Sequence, residues 1–302
     1  MYVARLGPAF ILKRMPGTGS LHAPDCASYE PPAELSGLGQ VIGTAITEDP
    51  ESGTTSLKLG FALSKNGARP NGVRDDKCAS DAVRDSSMLT LRGLLHYLWD
   101  HAELTRWQPT FAGRRTWGTV RRLLLIAAEG KVACGRALQD RLYVPEVFDV
   151  SHREEIAARQ MAQWTNAMQT GKRDRRLMVM IGEVKEIARA RFASKAVVKH
   201  VPDQAFALSD PVYRDAAQRF ERELSLWAAI RNLHMVMIAT FGLSVAGVPT
   251  IEELSFMPTS AQWIPVEDVL EIQLVDSLLK AGRRFTKCLR CSVPTASLHR
   301  FP

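Results

Sequence analysis

The chain has 302 residues, of which 46% are hydrophobic, and a net charge of +7 with five cysteines. That length allows about two domains with a sizeable buried core and excludes a globally disordered chain. The positive balance favours an anionic partner, nucleic acid first and a membrane surface second. The longest apolar run, Met235 to Val248, is broken by Thr240, Gly242 and Ser244, short of the ~18 residues of a spanning helix. Ala9 to Leu12 is too short for the core of a signal peptide. Five cysteines at scattered spacing point to a reducing compartment. These readings together predict a cytoplasmic protein with no membrane partner.

In chain order, residues 1–63 read as a β-rich module. "MYVARLGPAFILKR" predicts a hairpin bent at Gly7-Pro8, and "QVIGTAITEDPESGTTSLKLGFALS" a second one around the turn formers "EDPESG". Residues 64–85 are polar, with Asn66-Gly67 and Asn71-Gly72, and read as a linker or loop. Residues 86–171 read as a helical segment. Met88, Leu91, Leu95, Leu98 and Ala102 make one helical face over 86–104, and Val120, Leu123, Leu124 and Ala127 a second over 116–128. A third helix is expected from Ser151 to Thr170. A Ser151/Glu154 capping box would open it, Ala157, Met161, Trp164 and Met168 would be buried, and Gly171 would stop it.

Residues 172–302 read as a mixed αβ part. "LMVMIGEVKEI", "KAVVKHV" and "HMVMIATF" predict strands, the last apolar on both faces as a central strand would be. One helix is expected from Asp210-Pro211 with Tyr213, Ala217, Phe220, Leu224 and Trp227 inward. Another is expected from Pro265 to Ala281, closed by Gly282. The fold class is therefore α+β.

Several features bear on chemistry. His22 and Cys26 form an H-x-x-x-C half-site suited to zinc, which takes neutral imidazole and thiolate donors but needs four ligands in a structural site. Cys288-x-x-Cys291 and His299 at the other end supply further candidates. The competing reading of 22–26 is a surface turn that binds no metal.

Between Leu104 and Ala128 lie Arg106, Arg114, Arg115, Arg121 and Arg122 with Trp107 and Trp117. Arginine forks suit phosphate oxygens and indoles stack on bases. If a helix starts near Arg114, Arg114/Arg121 and Arg115/Arg122 stack on its outer side. The competing reading is a solvated basic face with two core tryptophans. Residues 172–199 add nine Lys or Arg against three acids. Glu183-x-Lys185 matches the carboxylate–lysine pair of PD-(D/E)xK nucleases, but the preceding strand lacks their aspartate. The pair reads instead as exposed charges at an amphipathic strand end.

"MYVARLGPAFILKRMPGTGSLHAPDCASYEPP", "LRGLLHYLWDHAEL", "GRRTWGTV", "VPEVF" and "WIPVEDVLEIQLVDSLLKAGRRFTK" together resemble a bacterial domain-of-unknown-function family. Its members occur on plasmids and integrative elements and have cysteines clustered near the N-terminus. The resemblance implies a DNA-associated accessory protein of a mobile genetic element, with DNA as partner. It also implies a copy shortened at both ends, with zinc in full-length relatives and no cofactor in this chain. A helix bearing Glu271 followed by Phe285 is similar to the opening of a PD-(D/E)xK core. The alternative is thus a degenerate nuclease without its metal-binding strands and without activity. A third reading is a structural or interaction protein with no nucleic-acid role.

Overall fold

The computed structural model describes residues 2–6, 9–13, 18–23, 26, 29, 41, 43–49, 53–66, 88–165, 174–189, 194–244 and 246–289. The first part contains β1 (Tyr2–Leu6), β2 (Ala9–Lys13), β3 (Ile46–Asp49), β4 (Thr54–Leu57) and β5 (Ser64–Asn66). The middle contains α1 (Leu91–His101), β6 (Arg106–Trp107), α2 (Trp117–Ala127), β7 (Lys131–Ala133), β8 (Arg136–Ala137), β9 (Leu142–Tyr143) and α3 (Arg153–Trp164). There follow β10 (Asp174–Arg176), β11 (Met178–Arg189), β12 (Ser194–Val198), β13 (Phe206–Leu208), α4 (Asp210–Arg219) and α5 (Glu221–Ala229). The last are β14 (His234–Leu243), β15 (Pro249–Thr259), α6 (Val269–Lys280) and β16 (Phe285–Thr286). Helices and sheets mix along the chain, an α+β fold.

The main sheet has the order β12-β13-β15-β14-β11-β9. Strand β14 lies between two antiparallel neighbours, which explains why "HMVMIATF" is apolar on both faces. The long β11 pairs with β14 over its first half and with β12 over its second, so the pairings return on themselves. A β-bulge between Val184 and Glu186 accompanies the change of partner.

Both N-terminal hairpins form: Tyr2 pairs with Lys13 and Leu6 with Ala9, and Ile46 pairs with Leu57. The bend at Gly7-Pro8 lies outside the described residues. Strand β4 also takes β7 as a parallel neighbour, and β5 pairs with β10. One hydrophobic cluster holds Ile46 and Leu57, then Leu94, Trp99, Val120 and Leu124, then Val179, Ile181, Val236 and Ile238. It therefore draws on residues 1–63, 86–171 and 172–302 together. A second cluster covers the opposite sheet face with Met178, Met180, Met237, Phe206, Phe241 and Trp164.

Three helix expectations change. Helix α2 begins at Trp117, where the Thr116 hydroxyl accepts from the backbone of Thr119 at 3.4 Å. Arg114 and Arg115 lie ahead of it, so the seven-residue stacking does not apply. Ser151 opens no capping box, because the Asp149 carboxylate takes its N–H at 2.8 Å within a 3-10 turn, and α3 starts at Arg153. Its buried residues are Ile156 and Trp164, with Ala157 and Met161 exposed; Met168 and Gly171 lie outside the described residues. The helix expected from Asp210 breaks at Phe220 into α4 and α5, and Phe220 turns inward against Phe256, ring centroids 5.4 Å apart.

Helix α6 starts at Val269, capped by the Asp268 carboxylate at 2.8 Å from the Glu271 N–H, and Gly282 follows it at φ +62° as a C-terminal stop. No described helix is long and apolar enough to cross a membrane. Cys134 is disulfide-bonded, whereas Cys26 and Cys288 are thiols.

Candidate functional site

The alternation of a strand sends every second residue to one face. In β11 this sets Val179 and Ile181 into the first cluster, and Glu183 follows them in the same row. In β14, Val236 and Ile238 enter the same cluster and His234 precedes them. Glu183 lies opposite Val236, so His234 is its diagonal neighbour, within reach of a long side chain. Two apolar rows thus end side by side in a carboxylate and an imidazole.

Glu183 is only 3% exposed. Its Oε1 accepts from His234 Nδ1 and from Lys199 Nζ, each at 2.6 Å, and its Oε2 lies 4.0 Å from His200 Nε2. Lys199 follows β12, and its N–H also donates to the Glu183 carbonyl at 2.8 Å. Burial pushes the carboxyl upward, but the hydrogen bonds from His234 and Lys199 and their charge outweigh it, so its pKa lies below the ordinary value. The group is an ionised buried carboxylate with donors supplied.

The tautomers follow from these partners. An ionised carboxylate only accepts, so His234 Nδ1 carries a proton in either charge state, and in the neutral form of the ring Nε2 has the lone pair. The Phe148 N–H donates to His200 Nδ1 at 3.3 Å, so neutral His200 has its proton on Nε2, facing Glu183. Burial lowers the His200 pKa, partly opposed by Glu183, which keeps that ring neutral.

Tryptophans fix both rings. Trp263 stacks on His234 with centroids 3.9 Å apart and planes 6° from parallel, and Trp117 stacks on His200 at 5.4 Å and 12°. Trp117 is anchored by its indole N–H to the Pro145 carbonyl at 2.8 Å, and Trp99 donates to the Trp263 carbonyl at 3.3 Å. Trp263 has φ +61°, a left-handed conformation disfavoured for a bulky residue. The Ser260 turn holds it, with Trp263 N–H on the Ser260 carbonyl at 2.8 Å. Such a conformation persists only where the surroundings impose it, often at functional sites. His234 keeps 24% of its side chain exposed, Lys199 48% and His200 18%.

The arginine segment is divided. Arg115 is turned inward: its guanidinium donates to the carbonyls of Leu104 (3.0 Å), Gln262 (3.4 Å), Glu103 (3.4 Å) and Arg106, and lies over the Phe111 and Trp107 rings. Burial pushes its pKa down to about 10. Arg121 donates to the Val144 carbonyl at 3.1 Å and stands 3.9 Å from Glu146, and Arg106 pairs with Glu103. Arg114 and Arg122 are exposed. Trp107 and Trp117 are buried at 5% and 4% exposure and present no open face for a base.

The remaining candidates are more modest. Cys26 Sγ and His22 Nδ1 do converge, at 3.6 Å. Among the described residues, however, no group of three or more His, Cys, Asp or Glu is placed to hold a metal ion. Cys288 is a half-buried thiol whose pKa burial raises, while Cys291 and His299 lie outside the described residues. Lys185 is exposed at the bulge, but Glu183 is not, so the two are not an exposed charge pair. Glu271 accepts from the Glu267 N–H at 2.8 Å and pairs with Lys287, which makes it part of the α6 cap. A pocket of about 210 Å³ between α4, α5 and the sheet is lined by Ile187, Tyr213, Leu224, Trp227 and Phe256 and offers little acid–base chemistry.

A family model described as "Protein of unknown function (DUF1173)" matches residues 1–300. The chain belongs to this family. No curated protein and no solved structure matches it. The family description assigns no residue a role, so the Glu183 cluster rests on geometry alone. The sequence singled out Glu183 but not Lys199, His200, His234 or Trp263. The available signal was a charged residue continuing the buried row of Val179 and Ile181.

Proposed function

We propose that the chain is a DNA-associated accessory protein of a mobile genetic element, contacting phosphates through a basic surface around the start of α2. The observation that carries this reading is the stacking of Trp117 on His200. It brings the arginine segment, with Arg114 three residues before Trp117, against the end of the second basic segment at Lys199 and His200. The stack joins the start of α2 to the end of β12, and a basic surface spanning the two would supply the charge that phosphate contact requires. The net charge of +7 acts in the same direction. Within this reading Arg114 and Arg122 make the contacts, while Arg115, Trp107 and Trp117 hold the surface in shape.

Binding of the full chain to duplex and single-stranded DNA, followed by fluorescence anisotropy over a salt series, tests it. Arg114→Ala with Arg122→Ala should weaken binding for all sequences and reduce the salt slope by roughly 1 per phosphate contact removed. A parent chain that binds neither DNA form, or a double variant that binds with unchanged affinity and slope, refutes the reading.

A further inference from the structure

We propose that Glu183, His234 and Lys199 form a general-base site for phosphodiesters, with His234 as the catalytic residue. This rests on the DNA-associated reading for the identity of its natural substrate, but not for its chemistry. Three independent features of the geometry support it. The Glu183 carboxylate holds the proton of His234 on Nδ1 at 2.6 Å, so in the neutral form of the ring the opposite nitrogen is the lone-pair base. That ring is clamped flat against Trp263, whose own backbone is held at φ +61°. Lys199 shares the same carboxylate oxygen and is 48% exposed, which sets a cation beside the base at the protein surface.

A buried ion pair needed only for stability does not require an imidazole oriented by two separate contacts. Carboxylate, imidazole and ammonium together supply what ester hydrolysis at phosphorus needs: an orienter, a base and a positive charge for the nonbridging oxygens. His234 Nε2 takes a proton from water as the water oxygen bonds to phosphorus. The bond from phosphorus to the leaving oxygen breaks, and the proton passes from Nε2 to that oxygen. The products are a phosphate monoester and an alcohol, with no change in oxidation state. Lys199 faces the phosphoryl oxygens, and Glu183 and Trp263 act as positioning residues.

The experiment follows hydrolysis of bis(p-nitrophenyl) phosphate and of plasmid DNA by the full chain, with DNA binding measured in parallel. The variants are His234→Asn, whose side-chain amide keeps a donor toward Glu183, His234→Ala, and Lys199→Met. The parent should hydrolyse the small diester. Both His234 variants should lose about 100-fold or more, and free imidazole should restore part of the activity of His234→Ala. DNA binding should persist in His234→Asn. Rescue by imidazole separates a base from a merely structural histidine. A parent that binds DNA but hydrolyses neither substrate overturns the inference and leaves the DNA reading standing. Hydrolysis of the small diester without DNA binding upholds the site and removes the DNA reading. Activity that survives in both His234 variants overturns the assignment.

Discussion

The two faces of the six-stranded sheet use the same strands and end differently. On one face Met178, Met180, Met237 and Phe241 meet Trp164 and Phe206, whose rings cross edge to face at 5.3–5.6 Å. On the other face the rows Val179–Ile181 and Ile238–Val236 run into Glu183 and His234. The comparison shows how a charge enters a core. The strand alternation that buries a valine buries a glutamate two residues later, and the glutamate stays ionised because neighbouring strand ends supply an imidazole and an ammonium. The first face is built for cohesion and the second brings reactive groups to its rim.

Breaking the cohesive face should cost most. Trp164 is fully buried among three aromatic rings, so Trp164→Ala should lose about 3–5 kcal/mol in denaturant unfolding. The His234 ring signals should stay where they are in the parent. Removing the charge from the other face should cost somewhat less. Glu183→Ala leaves His234 and Lys199 without their shared acceptor and should lose about 3 kcal/mol, the low end for a broken buried pair because Lys199 is half exposed.

The acid limb of stability sharpens the same contrast. The folded-state pKa of Glu183 lies below its ordinary value, so its contribution is present above the unfolded value and is lost as pH falls through the folded one. The gap in melting temperature between the parent and Glu183→Gln should therefore be full near neutrality and close as pH drops below about 4. A gap that stays full well below that range contradicts the ionised assignment. Smallest is the contrast within the arginine segment. Arg115→Ala strips a guanidinium from several main-chain carbonyls and should destabilise by about 2 kcal/mol. Arg114→Ala should stay within about 0.5 kcal/mol.

Much of the architecture was legible. The run "HMVMIATF" marked the central strand, the strands flanking "EDPESG" pair with Asp49 opposite Thr54, and Gly282 stops α6. What escaped depends on contacts remote in sequence or on competition between neighbours. Asp149 takes the Ser151 N–H that Glu154 would have accepted in the capping box, and the helix expected from Asp210 breaks at Phe220, whose ring is buried as expected. Arg115 looked like its neighbours until the loop before α2 folded it onto the carbonyls of Glu103, Leu104, Arg106 and Gln262. The site was partly visible. Glu183 stood in the apolar row, but its partners come from the end of β12 and the start of β14, and local pattern carries no information about which strand ends meet.

An ionised Glu183 fixes the tautomer and orientation of His234. Nitrogen-15 NMR of the histidine rings, at a pH where His234 is neutral, measures this directly. The His234 ring should be protonated at Nδ1 with an unprotonated Nε2, and should revert to the mixture of a free imidazole in Glu183→Ala. A ring protonated at Nε2 in the parent, or a spectrum unchanged by loss of Glu183, would contradict it.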